Sequence, residues 1–421
     1  MDPKLTITIK KRSQPLWFCW LLIVLPFLFG LLNSFLGLPW SIRYTLDIAW
    51  LWLLVMMVRF HDSLPSGNTQ GLDLWIFLFF AYTALVYLVQ YQNGLYYLWG
   101  VRNQFRFFIA FFAFATFLTR KDVDDYFCLF DRIFWINAAI SLVQFFLLGK
   151  NADHLGGIFG VETGGNGYTN VFFCIVLVKS VIFYLNHKEN ALTCAGKFIA
   201  AMVVAALAEL KFFFVEAVLI IILAVLFTNF SWRKMKIIVG GLAVIFAGAM
   251  LLVYVFPGYA GFFSWQWMWE NAIAGKGYTS SGDLNRLNAI GVINERFLDT
   301  GWKQLFGLAM GNCETSTFAF LNTPFFEANS WLHYSWITYA FLYLECGWIG
   351  LMFYFGFFLL VYIRARKIEK IYGASIKSYC AIGKIMAILC AVIAVYNASL
   401  RAETAYMAFF TLAVPFAAAK D

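Results

Sequence analysis

The chain has 421 residues, 62% of them hydrophobic, 20% aromatic and only 13% charged, with a net charge of +8. Soluble domains carry about 45–50% apolar and about 25% charged residues, so this composition excludes a soluble enzyme, a disordered chain and a nucleic-acid-binding domain. Long apolar runs recur along the whole chain, each sufficient to cross a bilayer core of about 30 Å, and barrel strands of about ten alternating residues are not the pattern.

In chain order, the apolar runs predict spans at 16–38, 42–58, 72–91, 102–118, 127–148, 168–186, 195–209, 212–229, 237–256, 331–362, 379–398 and 404–419. The fold class expected is therefore all-α, a polytopic membrane protein with about twelve transmembrane helices. The first run exceeds a signal-peptide core and lacks a small-residue cleavage site, so it counts as a span. From Gly196 to Phe230 the chain is short for two full crossings at about 1.5 Å per residue. Glu209-Leu210-Lys211 marks the break there, leaving two short helices or a re-entrant hairpin. The eight cysteines show no CxxC or other metal-ligand spacing and read as small core residues.

Charge orients the spans. Placing Lys4, Lys10, Lys11 and Arg12 in the cytoplasm puts about two thirds of all Lys and Arg on that side, including the Arg364–Lys377 cluster. Both termini are then expected to be cytoplasmic. Residues 257–330 form one large loop on the outer side, which should fold against the membrane. This divides the chain into an N-terminal bundle (1–256), the extracytoplasmic loop (257–330) and a C-terminal bundle (331–421). Asp283 is placed to cap a helix over 284–299, whose apolar positions include Leu284, Leu287, Ile290, Ile293 and Phe297.

The remaining basic residues run against this rule: Arg43, Arg102, Arg106, Lys150, Lys211, Lys276, Arg286, Arg296, Lys303 and Arg401. Arg102 and Arg106 share one helix face. Lys211 and Arg401 sit at outer span ends beside Glu209 and Glu403. Singly, such residues snorkel or form local ion pairs. As a set they point to an anionic ligand at the outer surface, since guanidinium groups match phosphate oxygens in bidentate fashion. The loop also holds acids (Glu270, Asp283, Glu295, Asp299, Glu314 and Glu327), unlike a nonspecific lipid-binding patch.

Other residues have two readings. Gly164-Gly165-Asn166-Gly167 is either a tight turn or a helix start offered to an anion. Trp265, Trp267 and Trp269 form an aromatic belt or flat faces for sugar rings. His333 is a structural histidine or a general base, with Glu327 the second candidate base. Glu345, twelve residues further and about 18 Å along a helix, needs a partner such as Lys211 or an arginine. Gly347 and Gly350 beside it permit close contact or a break.

With these residues the chain resembles the O-antigen ligase and Wzy-type polysaccharide polymerase families of integral-membrane GT-C glycosyltransferases. Four features carry the resemblance, spread over about residues 100–400: Gly165-Asn166-Gly-Tyr-Thr-Asn170 at a helix start; Ala208-Glu209-Leu-Lys211; Asn285-Arg286 and Gly307–Gly311 in the long loop; and Asn329–His333 followed by Tyr343–Leu351. The resemblance implies transfer of glycan repeat units from a polyprenyl-pyrophosphate carrier at the outer leaflet of a bacterial cytoplasmic (inner) membrane; fixed cations can stabilise the leaving pyrophosphate, so no metal or other cofactor is expected. Lys211, Arg286 and Arg401 are then the pyrophosphate candidates and His333 the base. Arg102, Arg106, Asn166, Arg296, Glu327 and Glu345 are further substrate-binding candidates. The expected partners are the lipid-linked oligosaccharide, membrane lipid and a chain-length regulator protein. A ligase acting on lipid A core, or a twelve-span flippase or transporter, is the alternative; against transport stand the absence of internal repeats and the size of the loop.

Overall fold

The computed structural model describes residues 14–59, 69–90, 92–162, 164–228, 231–264, 266, 278 and 282–420. The N-terminal lysines, Trp265, Trp267, Trp269, Glu270 and Lys276 lie outside the described residues.

In hydrocarbon every backbone polar group must be satisfied within the protein, which favours helices. The described residues are helical, with a lone bridge between Tyr278 and Leu284 as the only strand-like pairing. The long helices are α1 (Gln14–Leu36), α2 (Thr45–Arg59), α3 (Leu72–Gln90), α4 (Gly94–Phe117), α5 (Arg120–Phe146), α6 (Gly165–Leu185), α7 (Ala191–Leu207), α8 (Lys211–Phe227) and α9 (Trp232–Val255). Short helices α10 (Ala289–Arg296), α11 (Gly301–Phe306) and α12 (Pro324–Asn329) follow. The chain ends with α13 (Thr338–Tyr372), α14 (Lys377–Tyr396) and α15 (Ala405–Ala417). Eight of these are long and apolar enough to cross a membrane: α1, α2 (with the preceding turn), α3, α5, α6, α9, α13 and α14. By length and composition the protein is a polytopic, membrane-embedded helical protein. α4 is long enough but carries Arg102 and Arg106, while α7 and α15 are shorter apolar helices.

α6 and α15 form the centre. Every side chain of α15 is buried, and its alanines (Ala405, Ala408, Ala413, Ala417) let neighbouring helices approach closely. It packs on α4 through rings: Phe107 and Phe108 lie 5.8 and 5.5 Å from Phe409. α13 packs on α3, and α14 on α6 and α8. α9 is mostly exposed and forms part of the rim. One end of the bundle is pinned by a buried ionic knot, in which Lys179 and Lys197 both reach Asp131 (2.5 and 2.7 Å) and Glu189 (3.0 Å each).

Several local expectations change. Residues 208–210 separate two helices of 17 residues, with Glu209 at φ +59°, so α7 and α8 are distinct helices. The helix expected over 284–299 begins only at Ala289. Asp283 spends its carboxylate on His333 rather than on a cap, and the Leu284 N–H bonds to the Leu332 carbonyl. The span expected to start at 331 starts at Thr338, because Tyr334–Trp336 form a 3-10 turn and His333 has φ +51°. That helix runs to Tyr372, through charged residues that hydropathy reads as loop. It breaks at Gly347 (φ +59°), where a Cβ would collide with the Leu305 carbonyl group.

Candidate functional site

The helix end opposite the ionic knot gathers most of the misplaced cations. A 3-10 turn, Trp40–Tyr44, supplies Arg43 and Tyr44. The first turns of α4 present Trp99, Arg102, Asn103 and Arg106 on one side, as spacings of three and four residues require. Tyr168 comes from the first turn of α6, and Glu314 to Ser316 from the long connection before α13. Arg401 and Glu403 come from the α14–α15 connection. Together they enclose a polar cleft of about 230 Å³.

Its four arginines are held unequally. Arg102 forks onto Asp47 (Nε–Oδ1 3.1 Å, Nη2–Oδ2 2.8 Å) and lies 4.9 and 4.7 Å from the Tyr44 and Trp99 rings. Arg401 pairs with Glu314 at 2.9 Å and sits 3.2 Å over Phe341. Arg106 is 3% exposed, with Nη1 3.5 Å from Glu403 and Nη2 donating to the Arg401 carbonyl at 3.2 Å. The Nε and Nη1 of Arg106 make no hydrogen bond, nor does the buried Nε of Arg43. The Tyr168 hydroxyl donates to Glu403 at 2.8 Å. Burial pushes the Glu403 carboxyl up, but Arg106, Arg43 and that hydroxyl together outweigh it and hold the group below the usual carboxylate range.

Beside the cleft, across residues 396–403, lies a second set. Arg286 Nε donates to the Tyr396 carbonyl at 2.8 Å, and its guanidinium lies 4.7 Å from the Tyr396 ring. Phe212 stacks on that ring at 3.9 Å, which brings the first turn of α8 to the same place. Lys211 pairs with Glu209 at 2.9 Å and lies 3.5 Å over Tyr259. Burial and Glu209 both push the Tyr259 phenol up. Asn166 donates to Asp153 (2.8 Å) and to the Ala208 carbonyl (3.1 Å), so it braces the turn carrying Glu209 and Lys211. Below Phe212 an apolar groove of about 610 Å³ opens between α8, α13 and α14, lined by residues such as Phe355, Leu359, Ile388 and Val395.

His333 stands on the same wall as Arg286. Its Nδ1 lies 2.6 Å from Asp283, three residues before Arg286, and its ring stacks on Trp336 at 3.8 Å. The remaining candidates sit elsewhere. Arg296 lies over Tyr278 and Trp331, 5.4 Å from each ring, and Glu327 is exposed on α12. Glu345 is 1% exposed and accepts the Cys313 N–H at 2.9 Å; its partner is backbone, not Lys211. Arg401 binds Glu314 rather than its sequence neighbour Glu403.

Trp99, Asn103 and Tyr168 line the cleft although the sequence assigns them no role, as do Arg43, Glu314 and Glu403, which the sequence marks only as members of the outer set of charges. Arg43 was visible among the misplaced cations, Trp99 lies one turn before Arg102, and Tyr168 falls inside the Gly165–Asn170 motif. Chemically, the helix end offers fixed cations, an oriented imidazole and an apolar groove in close succession. No known protein family matches this sequence, and no curated protein does.

Proposed function

We propose that this protein is a polysaccharide polymerase that transfers glycan repeat units from a polyprenyl-pyrophosphate carrier at the outer face of the cytoplasmic membrane. One observation supports this reading most. Arg286 lies over Tyr396 in the Phe212–Tyr396 stack, Lys211 directly precedes Phe212, and Phe212 lines a 610 Å³ apolar groove. A substrate with an anionic head and a long hydrocarbon tail matches that juxtaposition, with the tail in the groove and the diphosphate against the cations.

In the proposed reaction an acceptor hydroxyl oxygen bonds to the anomeric carbon while the bond from that carbon to the diphosphate oxygen breaks. Charge grows on the leaving diphosphate. Cations already fixed in a water-poor site stabilise it without reorganising. Arg286 is the stronger candidate, because its fork keeps donors beyond the one given to Tyr396, whereas Lys211 is neutralised by Glu209. The acceptor proton passes to His333, whose ring is oriented by Asp283.

Purified protein given only lipid-linked repeat units tests the reading. A polymerase releases polyprenyl diphosphate and lengthens the glycan without a second compartment. Movement of the lipid across the bilayer with no lengthening would assign the protein to transport, and lengthening only on lipid A core would assign it to ligation.

A further inference from the structure

We infer that the arginine cleft is an acceptor-side subsite for one acidic sugar, so that the glycan handled by this protein carries a carboxylate. The inference rests on the polymerase reading for its glycan, but the recognition chemistry comes from the cleft alone.

Charge sets the ligand class first. Arg43, Arg102, Arg106 and Arg401 face Asp47, Glu314 and Glu403, so the cleft holds one more guanidinium than carboxylates. A single negative charge completes it. A diphosphate would bring more charge than the surplus, into a place where an uncompensated charge is costly.

The unspent donors then say where that charge goes. Arg102 is committed to Asp47, and Arg401 to Glu314. Unused N–H groups remain on Arg43 and Arg106, and Arg106 is 3% exposed. A guanidinium with two unused N–H groups, buried at the wall of a polar cleft, is expensive to keep without a purpose. Arg43 and Arg106 both line the cleft, and two neighbouring guanidiniums suit the two oxygens of one carboxylate.

The other walls fit a sugar ring. Asn103, Thr315 and Ser316 offer amide and hydroxyl groups, and Tyr44 and Trp99, packed edge to face with centroids 5.8 Å apart, wall the same cleft. The volume, about 230 Å³, lies below the roughly 300–1,000 Å³ of typical small-molecule sites. It has room for one residue of a chain. Unlike the Phe212 groove, the cleft is lined mainly by polar side chains, which does not suit a lipid tail.

Binding to the full-length protein in nanodiscs tests this without any turnover. The probes are a glucuronate-containing disaccharide, its methyl ester, the neutral glucose equivalent and inorganic pyrophosphate. The expected result is that the free acid binds about tenfold or more tightly than its ester or the neutral sugar. Added salt should weaken that preference, and Arg43→Gln should abolish it. Arg43 is half-buried and makes no ion pair among the described residues, so the variant should keep its fold. Equal binding of acid and ester to the wild-type protein would overturn the proposal without recourse to any variant, as would binding of neither. Displacement of the acid by pyrophosphate, with the same loss in Arg43→Gln, would make the cleft the carrier site and also overturn it. A protein that binds the acid yet fails to lengthen lipid-linked glycans would instead remove the polymerase reading and leave the subsite standing.

Discussion

Replacing Arg286 by alanine separates chemistry from folding. In the structure Arg286 makes one hydrogen bond to a main-chain carbonyl (2.8 Å) and one ring contact (4.7 Å), and it is only half-buried. Losing one hydrogen bond of this kind costs about 1 kcal/mol of stability. Loss of a fixed donor to a developing anion costs about 10²–10³ in rate, or about 2.7–4 kcal/mol. The rate effect therefore outweighs the folding effect. The assay is the initial rate of glycan lengthening by purified protein, with the melting midpoint measured on the same preparation. Arg286→Ala should lose at least about a hundredfold in rate with little change in midpoint. Arg286→Lys keeps the charge but not the fork and should fall between the two. Lys211→Ala should cost less than Arg286→Ala, because Glu209 already neutralises Lys211. A variant Arg286→Ala working within about threefold of wild type would refute the assignment, since an oxyanion-type contact is not worth so little.

Three further outcomes follow from the geometry. Gly347→Ala places a side chain at φ +59° and against the Leu305 carbonyl, costing about 1–2 kcal/mol for the conformation alone and more for the collision; the melting midpoint should drop by a few degrees, with less protein in the membrane. Glu403→Gln leaves Arg106 without its carboxylate and should destabilise by about 3–5 kcal/mol at neutral pH. The folded pKa of Glu403 is held below its ordinary value of 4.5, so its contribution is complete above that value and disappears as pH falls through the lowered one; wild-type and Glu403→Gln midpoints should converge in that acidic window. His333→Ala should slow lengthening by about 10²-fold or more, with Asp283→Asn, which keeps the ring but loses its orienting charge, retaining more activity in the same rate assay.

The membrane class and the places of the long helices are legible in the sequence because burial in lipid needs apolar runs of a set length, and such runs have few other uses. Arg43, Arg102, Arg106, Lys211, Arg286 and Arg401 stand out in the sequence as cations away from the basic loops, and all six lead to the cleft or to the set beside it around Tyr396. Partner choice is not legible. Arg401 stands two residues from Glu403 in sequence, yet binds Glu314 from a distant connection, and Glu403 goes to Arg106 and Tyr168 instead. Nothing local decides between those pairings; they follow from how α4, α6 and the α14–α15 connection meet. Asp283 looks like a cap in sequence and is a histidine partner in space, because Leu284 is held by Leu332 before a helix can begin. The last turns of α13 escaped hydropathy because Arg364, Arg366, Lys367, Glu369 and Lys370 continue a helix beyond the apolar layer.

The central claim is that the cation-rich helix end faces outward, where a lipid-linked glycan is met. Its most direct test uses single cysteines in a Cys128→Ser background, which removes the exposed thiol among the described residues. Leu287→Cys lies beside Arg286 at an exposed position, and Ser375→Cys is exposed at the opposite end of the bundle. A membrane-impermeant thiol reagent applied to intact cells should label Leu287→Cys and reach Ser375→Cys only after permeabilisation. Labelling of Ser375→Cys in intact cells, with Leu287→Cys protected until the membrane is opened, would contradict the account.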